Sequence, residues 1–167
     1  MLERAALLAL ALAALAPWAA AAADCPPDVV LARRKDVAVE AAVTRVPLPL
    51  PPAALDAEVE LVLRDVRFDA HPGTQFHILL ERRGERVERI RVGTLSFYAA
   101  PIAGGTTTRS FDVTDELRRV ARSAADLEDI HVVLEATTGR GGAGAGAIFD
   151  PEVGLTIGAV ELRAKAE

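Results

Sequence analysis

Three histidines, His71, His77 and His131, and one cysteine, Cys25, are the residues whose chemistry suits a metal ion or a nucleophilic step. Their spacing offers no ligand set from a single element. No two histidines stand four apart on a helical stretch, and Cys25 is far from all three in sequence. His71 lies beside Pro72 in a turn, while His77 and His131 take the outward positions of strands, where a polar residue is expected in any case. These histidines are therefore candidates only for a mononuclear site assembled in three dimensions. A Gly-x-Ser-x-Gly elbow is missing, and Cys25 runs into Pro26-Pro27, a segment unable to preorganise a thiol. Asp112 and Asp115 read as turn and helix-start residues rather than as an acid and base pair. The glycine-rich stretch 139–146 has no Lys-Ser/Thr ending and no helix signal after it, so it is no phosphate loop. The residues predict a chain that is not an enzyme and that needs no cofactor.

The elements carrying these residues are read from hydrophobic periodicity. Val37, Val39, Ala41 and Val43 alternate with polar or small residues, which predicts one strand within residues 29–46. Four prolines between Pro47 and Pro52 then make a stiff connector. Alternation resumes at Val59, Leu61 and Leu63, continues through Val66 and Phe68, and predicts a half-buried strand ended by the turn at 69–74. Phe76, Ile78 and Leu80 share the inner face of the next strand. A charged hairpin tip at 82–86 returns the chain through Ile90 and Val92, and the apolar phase changes at Gly93, as a β-bulge there would require. After the loop at 101–108, a short strand at 110–113 leads into a helix at 114–121. Thr114 is placed to cap that helix, with acids in its first turn and bases after them. Ile130, Val132 and Leu134 form another strand, and Leu155 to Leu162 the last, with a phase change at Gly158. About seven strands and one short helix predict an all-β antiparallel sandwich of jelly-roll type.

The first 23 residues read as a secretory signal peptide: a short apolar run, Pro17, then an alanine tract ending at Ala23. The apolar stretch is too short for a spanning helix, although an uncleaved anchor is the competing reading. Residues 24–54 then hold the N-terminal strand and the connector, and 55–167 the sandwich. The expected location is periplasmic or extracellular, without membrane contact after cleavage. Asp24 before Cys25 argues against a lipid anchor, and a single cysteine rules out an internal disulfide. A net charge of -5 gives no basic excess to attract nucleic acid.

Three stretches taken together carry a resemblance. They are Gly93-Thr94-Leu95-Ser96-Phe97-Tyr98, then Phe111-Asp112-Val113-Thr114-Asp115-Glu116-Leu117, then the closing strand with Ile157-Gly158. In this order they resemble the C-terminal domain of the tyrosinase and polyphenol oxidase family, over roughly residues 55–163. The resemblance implies a sandwich that shields a dicopper pocket. The helical domain that supplies the copper ligands in that family has no counterpart here, and three histidines cannot make a six-histidine site. The implied role is that of an accessory domain acting in trans on an exported copper oxidase or another exported protein, with Tyr98 as the side chain to enter the partner's pocket. The competing expectation is a stand-alone module that binds a polymer or protein unrelated to copper. A sugar ligand is disfavoured because the few aromatics, 4% of the chain, fall mostly at core-facing positions.

Overall fold

The computed structural model describes residues 29–69, 74–97, 105–137, 150, 152 and 154–165. The signal segment, Cys25, His71, Tyr98 and the glycines of 139–146 lie outside the described residues. Among the described residues, eight strands are arranged in two four-stranded antiparallel sheets. In chain order they are β1 (Val29–Ala38), β2 (Val43–Pro47), β3 (Val59–Arg67), β4 (Gln75–Arg82), β5 (Glu88–Leu95), β6 (Thr107–Asp112), β7 (Ile130–Thr137) and β8 (Thr156–Ala164). The first sheet runs β1-β8-β3-β6 and the second β2-β7-β4-β5. This is the antiparallel all-β sandwich that the periodicity predicts. Its core is aliphatic: Leu61, Leu63, Ile78, Leu80, Leu134 and Leu162 are all fully buried, as the low aromatic content requires.

The N-terminal segment departs from expectation. Residues 29–46 form two strands rather than one, because the backbone leaves the first sheet after Ala38 and enters the second at Val43. Val37 and Val39 are buried before the crossing, whereas Ala41 and Val43 face solvent after it. β1 and β2 are edge strands, and this position lets Pro47 end β2 without breaking a ladder on both sides. The connector beyond it is tied down by Leu48 and Leu50, whose N–H groups donate to the carbonyls of Ile130 and Leu127. β3 is more buried than the predicted half, since it lies between β8 and β6 and even its outward Val62 is covered.

The phase change at Gly93 is a bulge: Ile78 pairs with Gly93 and Leu79 with Arg91, leaving Val92 as the extra residue. A Cβ at Gly93 would fall closer than 3.0 Å to the ring of Phe111, so the glycine makes room for that ring across the sandwich. Gly158 has a different setting. Asp36 of β1 and Asp65 of β3 flank it in register, and both adopt left-handed backbone with φ of 52° and 51°. A Cβ on Gly158 would stand 2.9 Å from the Cβ of Asp65.

Helix α1 (Thr114–Val120) follows β6, and its Leu117 and Val120 are buried. Thr114 is not its cap. The Thr114 hydroxyl instead accepts the N–H of Val59 at 2.9 Å, satisfying a donor at the start of β3, and Asp112 Oδ1 accepts the Thr114 N–H at 3.1 Å. A 3₁₀ turn at Ala124–Asp129, started by a capping box between Ser123 and Asp126, leads into β7 and was not legible from periodicity.

Candidate functional site

The register places the strand ends so that four connections share one end of the sandwich. β1 ends and β8 begins beside the end of β3, with Ala38 opposite Thr156 and Thr156 opposite Arg67. β4 begins opposite the end of β7, at Gln75 and Thr137, and the last residue of β5, Leu95, pairs with Phe76. The links from β1 to β2, β3 to β4, β5 to β6 and β7 to β8 therefore all leave this end. At these strand ends lies a chain of edge-on rings, with Phe97 centred 5.2 Å from Phe68 and 6.3 Å from Phe76. The buried Thr74 hydroxyl donates to the Thr137 carbonyl at 2.7 Å, and Val39 N–H donates to Leu155 O at 2.9 Å, so the strand ends are held together at this level.

The described positions on which the resemblance rests are occupied in building the sandwich. Gly93 accommodates the Phe111 ring, Val113 and Leu117 are buried, and Phe97 joins the ring cluster. Thr94 Oγ1 accepts from Arg91 Nη2 at 2.9 Å. Asp112 receives Thr114 N–H on one oxygen and Lys165 Nζ on the other at 2.5 Å, and these bonds lower its carboxyl pKa to about 2. Ile157 is buried and Gly158 sits between the two left-handed aspartates.

His77 and His131 both lie on the outer face of the second sheet, but they do not converge. His77 is opposite Glu135 and Thr94, whereas His131 is opposite Glu81 and Pro47, four residues away along the strands. At ~3.3 Å per residue the two are about 13 Å apart. His77 titrates below its ordinary range, because burial and then the Arg91 charge disfavour its cation, while Glu135 acts the other way. Among the described residues no three His, Cys, Asp or Glu side chains are grouped to hold a metal ion.

The structure brings together charges that the sequence reading did not single out. Each sheet carries on its outer face one almost fully buried glutamate beneath three arginines. In the first sheet Glu161 receives Arg33 Nε at 2.5 Å, Arg64 Nε at 3.1 Å and Arg163 Nε at 2.7 Å. In the second, Glu81 receives Arg45 Nε at 3.2 Å and Arg89 Nε at 2.5 Å, with Arg83 Nε 3.7 Å away. The carboxylates are 2% and 1% exposed, whereas Arg33 and Arg64 are each 41% exposed. Solvent therefore meets guanidinium with carboxylate underneath. Burial works to raise the Glu161 pKa, but the hydrogen bonds from Arg163 and Arg64, with the charges of Arg163 and Arg33, prevail and lower it. The available sequence signal was a Glu with an Arg two residues on, Glu81 with Arg83 and Glu161 with Arg163, at the outward phase of an apolar strand.

No family model, curated protein or solved structure matches the chain significantly. Among the described residues no helix is long and apolar enough to cross a membrane.

Proposed function

We propose that this chain is an exported, non-catalytic accessory domain that meets a protein partner through the loop end of its sandwich. The observation carrying this reading is that the strand ends from which four connections leave gather at one end of the sandwich, beside the Phe68, Phe97 and Phe76 rings. Loops set on a rigid strand framework are a common place for recognition. The tyrosinase-like pattern gives the partner its identity: an exported copper oxidase whose pocket this end covers. Tyr98, next in sequence to Phe97, is the side chain proposed to enter that pocket, since a phenol mimics the substrates of such oxidases.

The test uses a tyrosinase-type copper oxidase exported by the same cell, mixed with the purified chain. Photo-crosslinking residues at the exposed positions Glu40 and Thr106, near the loop end, should capture the oxidase, whereas one at Glu85 in the opposite β4–β5 hairpin should not. Binding should also change catechol oxidation or copper loading. Absence of both association and any kinetic change refutes the accessory reading. If the effect survives Tyr98→Ala, only the pocket-insertion part is lost.

A second reading, a module for a polymer or protein unrelated to copper, draws on the arginine-covered outer faces. Exposed guanidiniums over buried carboxylates present positive charge outward on a chain whose net charge is -5.

A further inference from the structure

The outer face of the first sheet has a shallow basin of about 430 Å³ whose floor is Gly158 and Ala159. The floor is low because these residues carry no side chain and a single methyl, in the middle of a sheet whose neighbouring outward positions hold long charged residues. Arg33 and Lys35 of β1, Arg64 of β3 and Arg163 of β8 stand around it, so the cations come from three adjacent strands. The carboxylates lining the basin are Glu161, buried beneath the arginines, and Asp65 on the rim, and Asp36 stands beside Gly158 on the β1 side. Four cations thus face three carboxylates, one of which is turned away from solvent. Glu161 engages Arg33 and Arg64 through Nε, which fixes both guanidiniums while leaving them two-fifths exposed.

We propose that this basin is a binding site for an oxyanion group, carboxylate, sulfate or phosphate, with Arg33, Lys35 and Arg64 as its main contacts and Glu161 as a positioning residue. The planar donor array of arginine matches an oxyanion with two parallel bonds, and pinning the side chains in advance reduces the ordering cost of binding. The aspartates offset part of the attraction, but the cations outnumber the carboxylates, so a multiply charged ligand gains more than a monoanion. The site lies on a sheet face, with Gly158 two residues along β8 from Thr156 at the loop end, and it does not depend on which partner that end meets.

Titration of the purified chain with sulfate, citrate and oligogalacturonate, followed by NMR at the Gly158 and Ala159 amides and the Arg33 and Arg64 Nε–H groups, tests the assignment. Saturable shifts confined to these groups are expected, with sodium chloride of equal ionic strength failing to reproduce them. Arg33→Gln with Arg64→Gln should weaken binding by about tenfold or more, the loss of one or more charge-assisted hydrogen bonds. Arg45→Gln on the opposite sheet should leave it unchanged. Lys35→Gln, which disturbs none of the bonds to Glu161, provides a weaker but structurally harmless version of the same comparison. Tighter binding of oligogalacturonate than of citrate supports the site with a polymer as source, and equal binding supports it with a free oxyanion. Shifts that do not saturate, that sodium chloride reproduces, or that survive both the double variant and Lys35→Gln overturn the proposal.

Discussion

Gly93→Ala should destabilise the sandwich for lack of space, and the size of the effect follows from one contact. Gly93 does not need its glycine for backbone freedom, since Gly154 is the glycine with positive φ among the described residues. The added methyl would instead enter the Phe111 ring, inside 3.0 Å of two of its carbons. Ordinary carbon contacts lie near 3.5–4.0 Å, so the ring must retreat by more than about half an ångström. Overpacking of this kind costs about 1–3 kcal/mol, and the lower entropy of the unfolded alanine chain returns ~0.4–1 kcal/mol. The expected net loss is about 1–2 kcal/mol, seen as a lower urea midpoint with unchanged m value and a fall in Tm of roughly 2–8 °C. The cycle with Phe111→Ala identifies the cause. Removing the ring removes the three nearest neighbours of the added methyl, so Gly93→Ala should become neutral or slightly stabilising, with a coupling energy of about 1–2 kcal/mol. A neutral Gly93→Ala in the wild-type background, or a penalty that persists beside Phe111→Ala, would refute the packing argument.

Two further outcomes follow from the charged groups. Asp112 has its pKa lowered from 3.8 to about 2, chiefly by the Lys165 hydrogen bond and then by the Thr114 N–H. Its contribution is therefore complete above pH ~4 and disappears as pH falls through 2, so Asp112→Asn should flatten the dependence of urea midpoint on pH across that window. Glu161→Gln and Glu81→Gln each leave three arginines facing one another. Because those arginines are partly exposed, the loss should be about 1–2 kcal/mol rather than the 3–5 kcal/mol of a fully buried pair, and added salt should reduce it by screening the repulsion, as thermal denaturation at two ionic strengths would measure.

Period-two alternation made Phe76, Ile78 and Leu80 legible as an inner face, and the phase change at Gly93 made the bulge legible, because each is a property of a few consecutive residues. The same signal failed between Val37 and Val43. The apolar alternation runs on unbroken through Ala41 and Val43 while the chain changes sheet and both of those residues face solvent, so it marked neither the crossing nor the loss of burial. Thr114 was legible as a hydroxyl at a helix start, yet its partner is Val59, 55 residues earlier, and tertiary pairing displaced local capping. The glutamate clusters were hidden for a related reason. Arg64 and Glu161 are 97 residues apart, and Arg45 and Glu81 are 36 apart, so only the strand order brings them together. The candidate oxyanion basin depends on that same order and could not be read along the chain.

The row Asp36, Gly158, Asp65 bears on how the first sheet finds its alignment. Away from the phase change at Gly158, a slip of β8 by two residues would keep side chains on their proper faces, so the alternation of the flanking segments alone does not reject it. In the slipped pairing the left-handed aspartates would oppose Thr156 or Val160 instead of a glycine, and a side chain would have to occupy the space that Asp65 Cβ already closes to 2.9 Å at Gly158. The three residues work as a notch and two keys, selecting one alignment from among those that the apolar pattern treats as equivalent.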